Sequence, residues 1–176
     1  MKKLLFVLVV LTCLTGCTTR YTMSDAAPPV SAKLERGQPV YIALPQDGSF
    51  GDRVYTGSGL ITASALQTAL TPYSSTAIVG SAYEDQVTAI GSGKAKNARY
   101  VFVPDITNWV HRKAAWSGRA SGVSVTMAVF DLTRPENEMR VILKDLRVQG
   151  RNMTFVSQHP GEILKPLLQQ FVKEVY

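Results

Sequence analysis

The chain has 176 residues, which is the length of a single domain at roughly 150 residues per domain. Hydrophobic residues make up 45% of it and charged residues 18%, which excludes intrinsic disorder and a disulfide-dense mini-protein. The formal net charge is +6, from 19 basic and 13 acidic side chains. This excess is mild, and two of the basic residues, Lys2 and Lys3, lie in a segment predicted to be removed. Nucleic-acid binding is therefore not indicated.

The first 17 residues have the pattern of an export signal. A short cationic start precedes an apolar run over residues 4–11, which is far shorter than the roughly 20 residues of a membrane-spanning helix. The following Leu14-Thr15-Gly16-Cys17 resembles the lipobox of bacterial lipoproteins. The resemblance implies that residues 1–16 are cleaved off and that Cys17 becomes an acylated membrane anchor. Thr18 stands where an Asp signals retention in the inner membrane, which implies the outer membrane. A plain secreted protein with an incidental cysteine is the alternative.

Cysteine usage excludes disulfides and cysteine-based metal sites in the mature chain. The chain has two cysteines; Cys13 leaves with the signal and Cys17 carries the lipid, so no thiol pair remains. Residues 17–38 are polar and contain Pro28-Pro29, and we interpret them as a flexible tether with a reach of about 25 Å. The folded domain is then predicted over residues 39–176, on the periplasmic side of the outer membrane.

The first half of the domain is predicted to alternate strands and helices. Its elements are strand 39–44, a helix over 60–70, strand 76–79, a second helix and strand 99–103. The capping-box pattern Ser81-Ala82-Tyr83-Glu84 predicts the start of the second helix, and Gly91 and Gly93 predict its end. The last strand is almost continuously apolar, which predicts a central position in the sheet. Right-handed crossovers imply that the three strands pair in parallel.

The second half changes to an antiparallel pattern. Alternating apolar and polar residues predict strands over 123–129 and 139–144, and residues 153–156 are predicted to extend the sheet edge. The closing helix carries an apolar stripe from 163 to 175, and Pro166 within it predicts a late start or a kink. The fold class is therefore α/β, with one three-helix domain on a mixed sheet in the order β-α-β-α-β-β-β-α.

A glycine-rich loop joins the first strand to the first helix. Its candidate binding residues are Asp47, Gly48, Gly51, Gly57, Ser58 and Gly59. Loops in this position bind anions through free amide groups, but neither G-x-x-x-x-G-K-[ST] nor G-x-G-x-x-G is present. Two interpretations stay open. The loop serves as a turn and a helix cap, or it forms a small-ligand or glycan site in which Asp47 or Asp52 faces a pocket.

The titratable residues contain no catalytic or metal-binding pattern. His111 and His159 are the only histidines, and neither has a neighbour that completes a metal-ligand or triad motif. Asp105 and Asp131 lie at strand ends, where aspartate commonly caps turns. We therefore predict no cofactor, no metal and no catalytic residue.

The segment from Trp109 to Gly122 has the most unusual composition of the chain, because both tryptophans are interleaved with cations. Its candidate binding residues are Trp109, Arg112, Lys113, Trp116 and Arg119. Aromatic side chains beside cations suit anionic or glycan surfaces and protein hot spots alike. The alternative is that the tryptophans pack on the sheet while the cations lie in solvent.

The sequence resembles a family of proteobacterial lipoproteins known only as a domain of unknown function, over about residues 38–176. The resemblance is carried by Asp47-Gly48-x-x-Gly51, Gly57-Ser58-Gly59, Pro104-Asp105-Ile106, Trp109-x-x-Arg112 and Trp116-Ser117-Gly118-Arg119. The element order is also similar to that of the amino-terminal domain of TolB, the curli-secretion lipoprotein and lipoprotein activators of penicillin-binding proteins. This likeness implies a binding or assembly module without catalysis.

These observations favour a non-enzymatic outer-membrane lipoprotein whose periplasmic domain binds an envelope protein, with residues 109–119 as the first candidate surface. One alternative is a small-ligand or glycan-binding domain, hydrolytic if its carboxylates are placed for it, that uses the Gly48–Gly59 loop. Another is a homo-oligomeric structural component of the envelope.

If Trp116 belongs to a recognition surface, Trp116→Ala weakens association with the partner and leaves thermal stability near normal. Thermal unfolding of the variant beside the parent chain checks this. A large fall in melting temperature would instead assign Trp116 to the core.

Overall fold

The computed structural model describes residues 19–25, 33–111, 121–150 and 159–176 of the chain. In chain order the elements are β1 (Thr19–Asp25), β2 (Pro39–Leu44), β3 (Ser49–Phe50), β4 (Arg53–Val54), α1 (Ser58–Leu70), β5 (Thr76–Tyr83), α2 (Gln86–Ala95), β6 (Tyr100–Val110), β7 (Ser121–Asp131), β8 (Arg140–Gly150) and α3 (Pro160–Val175). A short 3-10 turn, Glu136–Glu138, connects β7 to β8.

Six of these strands form one mixed sheet in the order β1-β8-β7-β6-β2-β5. β2 pairs in parallel with both β5 and β6, whereas β6, β7, β8 and β1 pair in antiparallel fashion. β3 and β4 form a separate small hairpin. The structure confirms the predicted α/β class, the order β-α-β-α-β-β-β-α, the parallel pairing and the central place of the strand that begins at Tyr100.

The two faces of the sheet are covered unequally. α1 and α3 share one large core with the sheet, in which Phe102 of β6 and Phe171 of α3 meet edge to face with ring centroids 6.5 Å apart. α2 covers the other face in a smaller core around Tyr41 and Val101, where Ala89 is fully buried. Small residues on α2 bring that helix close to the sheet.

The start and end of α2 differ from the prediction. β5 continues through Tyr83, and the helix begins after Asp85, whose carboxylate accepts a hydrogen bond of 2.8 Å from the Thr88 N–H. The predicted capping box at Ser81-Ala82-Tyr83-Glu84 is therefore wrong. Gly91 and Gly93 lie inside the helix, and Gly93 is buried against Val101. Packing against the sheet outweighs the low helix propensity of these glycines.

α3 begins at Pro160, so of the two outcomes predicted for Pro166, a late start or a kink, the late start is wrong. His159 caps the helix, because its Nδ1 accepts a hydrogen bond of 3.2 Å from the Gly161 N–H. Pro166 is exposed within the helix, while its neighbours Leu164 and Leu167 are fully buried. The buried stripe that these leucines belong to holds the segment helical despite the missing amide donor.

Two segments of the predicted tether contact the folded domain. Thr19–Asp25 pairs along its whole length with β8. Lys144 of β8 lies 3.5 Å from Asp25 and also contacts Glu174 of α3. Burial disfavours the charge on Lys144, but these carboxylates outweigh it and raise its pKa. Leu34 is buried, and its N–H donates a hydrogen bond of 2.8 Å to the carbonyl of Val175.

Other predictions fall outside the described residues. These are the signal segment, the acylated Cys17 and the edge strand over residues 153–156. Within the described part of the chain, none of the helices combines the length and the apolar character that crossing a membrane requires.

Two glycines of α2 give a matched test of this packing. A β-carbon at Gly93 would lie 2.4 Å from Cγ2 of Val101, whereas a β-carbon at Gly91 would meet nothing within 4 Å. We expect Gly93→Ala to lower the free energy of unfolding by about 1–3 kcal/mol through overpacking. Gly91→Ala should raise it by up to about 1 kcal/mol, because alanine is the better helix former. Urea unfolding of both variants checks the opposite signs, and equal effects would contradict the packing of α2.

Candidate functional site

A cleft opens where the parallel strands end. β2 ends at Leu44 and β5 at Tyr83, and the lining continues to Asp105 and Ile106 of β6. The cleft has a volume of about 650 Å³. In open α/β sheets the carboxyl ends of parallel strands are the usual place for ligands, because the following loops leave a crevice there. This cleft is therefore the candidate functional site.

Asp47 joins the two sides of the glycine-rich loop. Its Oδ1 accepts a hydrogen bond of 2.8 Å from the Gly59 N–H, and its Oδ2 accepts one of 3.0 Å from the Gly57 N–H. The Ser58 hydroxyl accepts a hydrogen bond of 2.8 Å from the Gly48 N–H and lies 3.5 Å from the Asp47 carboxylate. The amide groups at the start of α1, which would attract an anion, are thus occupied by the protein's own carboxylate.

The glycines of this loop are required by packing and by backbone conformation. A β-carbon at Gly48 would lie 2.5 Å from Cγ2 of Ile106, and one at Gly59 would lie 2.4 Å from the Pro45 carbonyl oxygen. Gly57 has φ of 86°, which disfavours other residues, and Gly51 lies in the turn of the β3–β4 hairpin. Of the two interpretations of the loop, this geometry favours turn and helix capping.

Several large hydrophobic side chains are exposed at the rim of the cleft. The exposed large hydrophobic residues of the described chain are Tyr21, Phe50, Val54, Leu60, Tyr83 and Val87. Three of them, Val54, Leu60 and Tyr83, line the cleft, and Phe50 lies in the adjoining hairpin. Leu60 is 58% exposed and Tyr83 61% exposed. Exposed apolar side chains gathered beside a crevice make this rim a candidate binding surface.

The charge of the cleft is one-sided. Among the described residues of its lining, the charged ones are Asp47 and Asp105, and none is lysine, arginine or histidine. From these described residues, an anionic ligand would meet carboxylates without a compensating cation. The arrangement instead suits a neutral or basic partner that brings an apolar side chain.

Trp109 is placed in the core rather than at the surface. It is 1% exposed, and its β-carbon is close to Gly48, so it supports the cleft from behind. The sequence interpretation of Trp109 as part of a recognition surface is therefore wrong, because burial against the loop removes its ring from solvent. The other four candidates of that segment, Arg112, Lys113, Trp116 and Arg119, lie outside the described residues.

The two histidines meet in space although they are far apart in the chain. The rings of His111 and His159 are 5.1 Å apart and inclined at 65°. His159 already uses Nδ1 to cap α3. Across residues 19–25, 33–111, 121–150 and 159–176, no three histidine, cysteine or acidic residues come together to hold a metal ion.

A hydrogen-bonded cluster holds the turn after β5, which carries Tyr83. The Tyr41 hydroxyl donates to Glu84 at 2.8 Å, and the Ser92 hydroxyl donates to the same carboxylate at 2.6 Å. Burial, together with the neighbouring Glu84 carboxylate, raises the pKa of Tyr41.

Sequence reasoning missed the rim residues Leu60 and Tyr83, and the only signal for them was apolar residues beside a polar, glycine-rich loop.

The fold and the cleft define a three-helix α/β domain with a self-capped loop at the carboxyl edge of its parallel strands. The chain belongs to the family described as domain of unknown function DUF4823, whose sequence model matches residues 32–175. This confirms the resemblance to such a family that the motifs indicated. Among curated proteins, no sequence relative matches the chain.

The solved structures of PelC and XCC0632 share the fold at low sequence identity, and a structure of TolB aligns less closely. The PelC dodecamer from Paraburkholderia phytofirmans aligns with a TM-score of 0.60 and 14% identity, covering 90% of this chain and 97% of that one. Protein XCC0632 from Xanthomonas campestris, of family DUF330, aligns with a TM-score of 0.51 and 12% identity, covering 86% and 88%. TolB from Acinetobacter baumannii aligns with a TM-score of 0.40 and 12% identity, covering 89% of this chain and 30% of that one.

The capping role of Asp47 has a direct test. We expect Asp47→Ala to lower the free energy of unfolding by about 1–2 kcal/mol, because it removes two acceptors from the start of α1. Asp52, exposed in the neighbouring hairpin turn, is the control, and Asp52→Ala should change stability by less than about 0.5 kcal/mol. Urea unfolding compares the free energies of unfolding of the two variants. If they are equal, Asp47 does not stabilise the start of α1.

Proposed function

We propose that the protein is an outer-membrane lipoprotein, anchored through Cys17 and facing the periplasm, whose α/β domain is a non-catalytic binding and assembly module of the envelope. The anchor is supported by the cationic start, the apolar run and the lipobox-like sequence at residues 14–17. Assembly is included because PelC, which has the same fold, is a dodecamer.

The observation that carries the binding role is the apolar rim of the carboxyl-edge cleft. Val54, Leu60 and Tyr83 leave large apolar surfaces in water next to a crevice of about 650 Å³. Covering a side chain of this size contributes about 1.5–3 kcal/mol when it is fully buried. The partner that fits is an envelope protein that inserts an apolar side chain and brings neutral or basic neighbours toward Asp105.

A small-ligand, glycan-binding or hydrolytic domain has less support from the same residues. Acid and base catalysis by two carboxylates requires both to be available to a substrate. Both oxygens of Asp47 are instead held by the amides of Gly57 and Gly59, and Asp52 is not in the cleft lining. Among the described residues of the lining, Tyr83 is the one aromatic side chain on which a sugar could stack.

Photo-crosslinking from position 60 in the full-length protein in cells tests this proposal. We expect a photo-reactive residue at Leu60 to capture one envelope protein. The matched control is Thr68, which is exposed on the same helix but absent from the cleft lining, and should not capture it. The yield of this adduct should fall in the Cys17→Ser variant, which cannot be acylated. No protein adduct at position 60, or equal adducts at 60 and 68, would overturn the cleft as the binding surface.

A further inference from the structure

Across residues 19–25, 33–111, 121–150 and 159–176, the six-stranded sheet ends in two edge strands, β1 and β5. Proteins usually protect such edges with charged residues, prolines or irregularities, because an unpaired strand edge recruits another strand. β5 has the sequence Thr-Ala-Ile-Val-Gly-Ser-Ala-Tyr, with neither a charge nor a proline in eight residues. Its pairing with β2 is regular from Thr76 to Val79 and irregular beyond. No described strand pairs with the outer side of this regular stretch, which therefore offers a position for one more strand.

We infer that a second copy of the chain places its β1 along β5, so that the sheet continues from one copy to the next. The inference deepens the assembly part of the proposed function and names its partner, but it does not depend on the cleft. Strand directions determine the geometry of the joint. β5, β2 and β6 run the same way, and the antiparallel pairs β6·β7, β7·β8 and β8·β1 leave β1 running opposite to β5. A continued sheet therefore joins β1 and β5 in antiparallel fashion.

The apolar residues of the two edges lie on the same face of the sheet. Ala77 and Val79 of β5 pair with residues of β2 that belong to the large core. Met23 and Tyr21 of β1 pair in the same way with core residues of β8. In the joined sheet, Met23 of one copy lies opposite Ala77 of the next and Tyr21 lies opposite Val79. Tyr21, which is 39% exposed in the single chain, would be covered there.

The charges at the strand ends select the same antiparallel joint. Arg20 lies near the start of β1, and Asp25 is the last residue of that strand. β5 is followed by the acidic Glu84 and Asp85, and near its start Arg36 stacks 4.7 Å over the ring of Tyr73. The antiparallel joint brings Arg20 to the acidic turn and Asp25 toward Arg36. A parallel joint would bring like charges together at both ends, which is unfavourable.

The two surfaces in this joint are different, so the contact is head to tail. A copy whose β1 is paired with one neighbour still has an unpaired β5 that a further copy can bind. Repetition of such a contact produces a ring when the rotation closes and a filament when it does not. A self-complementary contact would stop at a dimer.

Paired cysteines in the full-length protein test the joint. Met23→Cys combined with Ala77→Cys, treated in cells with a short bis-maleimide, should give a ladder of crosslinked chains of three or more copies. Each single variant should give no ladder. The matched control is Thr22→Cys with Ala77→Cys, since Thr22 pairs with Arg147 and faces the other side of the sheet. The parent chain gives the background from its own cysteines.

The ladder should fall several-fold in Arg20→Glu and persist in Arg20→Lys, with thermal unfolding unchanged in both. A ladder limited to dimers, an equal ladder from the Thr22 pair, or capture of a different protein at position 77 would each overturn the inference. Crosslinking from position 60 tests the cleft independently. If that crosslink forms and no ladder appears, the joint between copies is rejected and the cleft is not.

Discussion

The carboxylate of Asp47 is the contact on which the carboxyl edge of this domain depends. It accepts hydrogen bonds from the amide groups of Gly57 and Gly59, and these connect the segment after β2 to the start of α1. The same hydrogen bonds satisfy the positive end of the helix from within the protein. A loop that would otherwise attract an anion becomes the wall of a cleft whose described charged residues are carboxylates.

One mixed sheet supports both surfaces of the molecule. Its parallel half, β5-β2-β6, sends three strand ends to the same edge and so creates the cleft with its apolar rim. Its antiparallel half, β7-β8-β1, adds a strand from the beginning of the chain and leaves a sheet edge with charge at each end. The cleft uses Tyr83 at the end of β5, whereas the proposed joint uses the stretch of β5 from Thr76 to Val79, so the proposed envelope partner and further copies of the chain would contact neighbouring but different parts of that strand.

The fold was predictable because buried strands and amphipathic helices have recognisable patterns of apolar residues in the sequence. The run that begins at Tyr100 is apolar because both faces of β6 are covered, and the stripe ending at Val175 is apolar because α3 lies on the sheet. Predictions failed where a distant contact outweighed the local pattern. Glu84 matches a capping box by spacing, but Tyr41 and Ser92 hold its carboxylate elsewhere.

The sequence by itself determined the class of the fold, the order of its elements and the motif of an export signal, since these depend on composition and on periodicity along the chain, and its short motifs carried the resemblance to the family. Only the tertiary structure decided that Trp109 is buried, that Asp47 caps α1, and that Leu60 and Tyr83 meet at one rim. The physical reason is that periodicity shows which side of an element is apolar, but not which distant element covers it. The partners of a carboxylate or an aromatic ring depend on distances of a few ångströms, which exist only once the chain has folded.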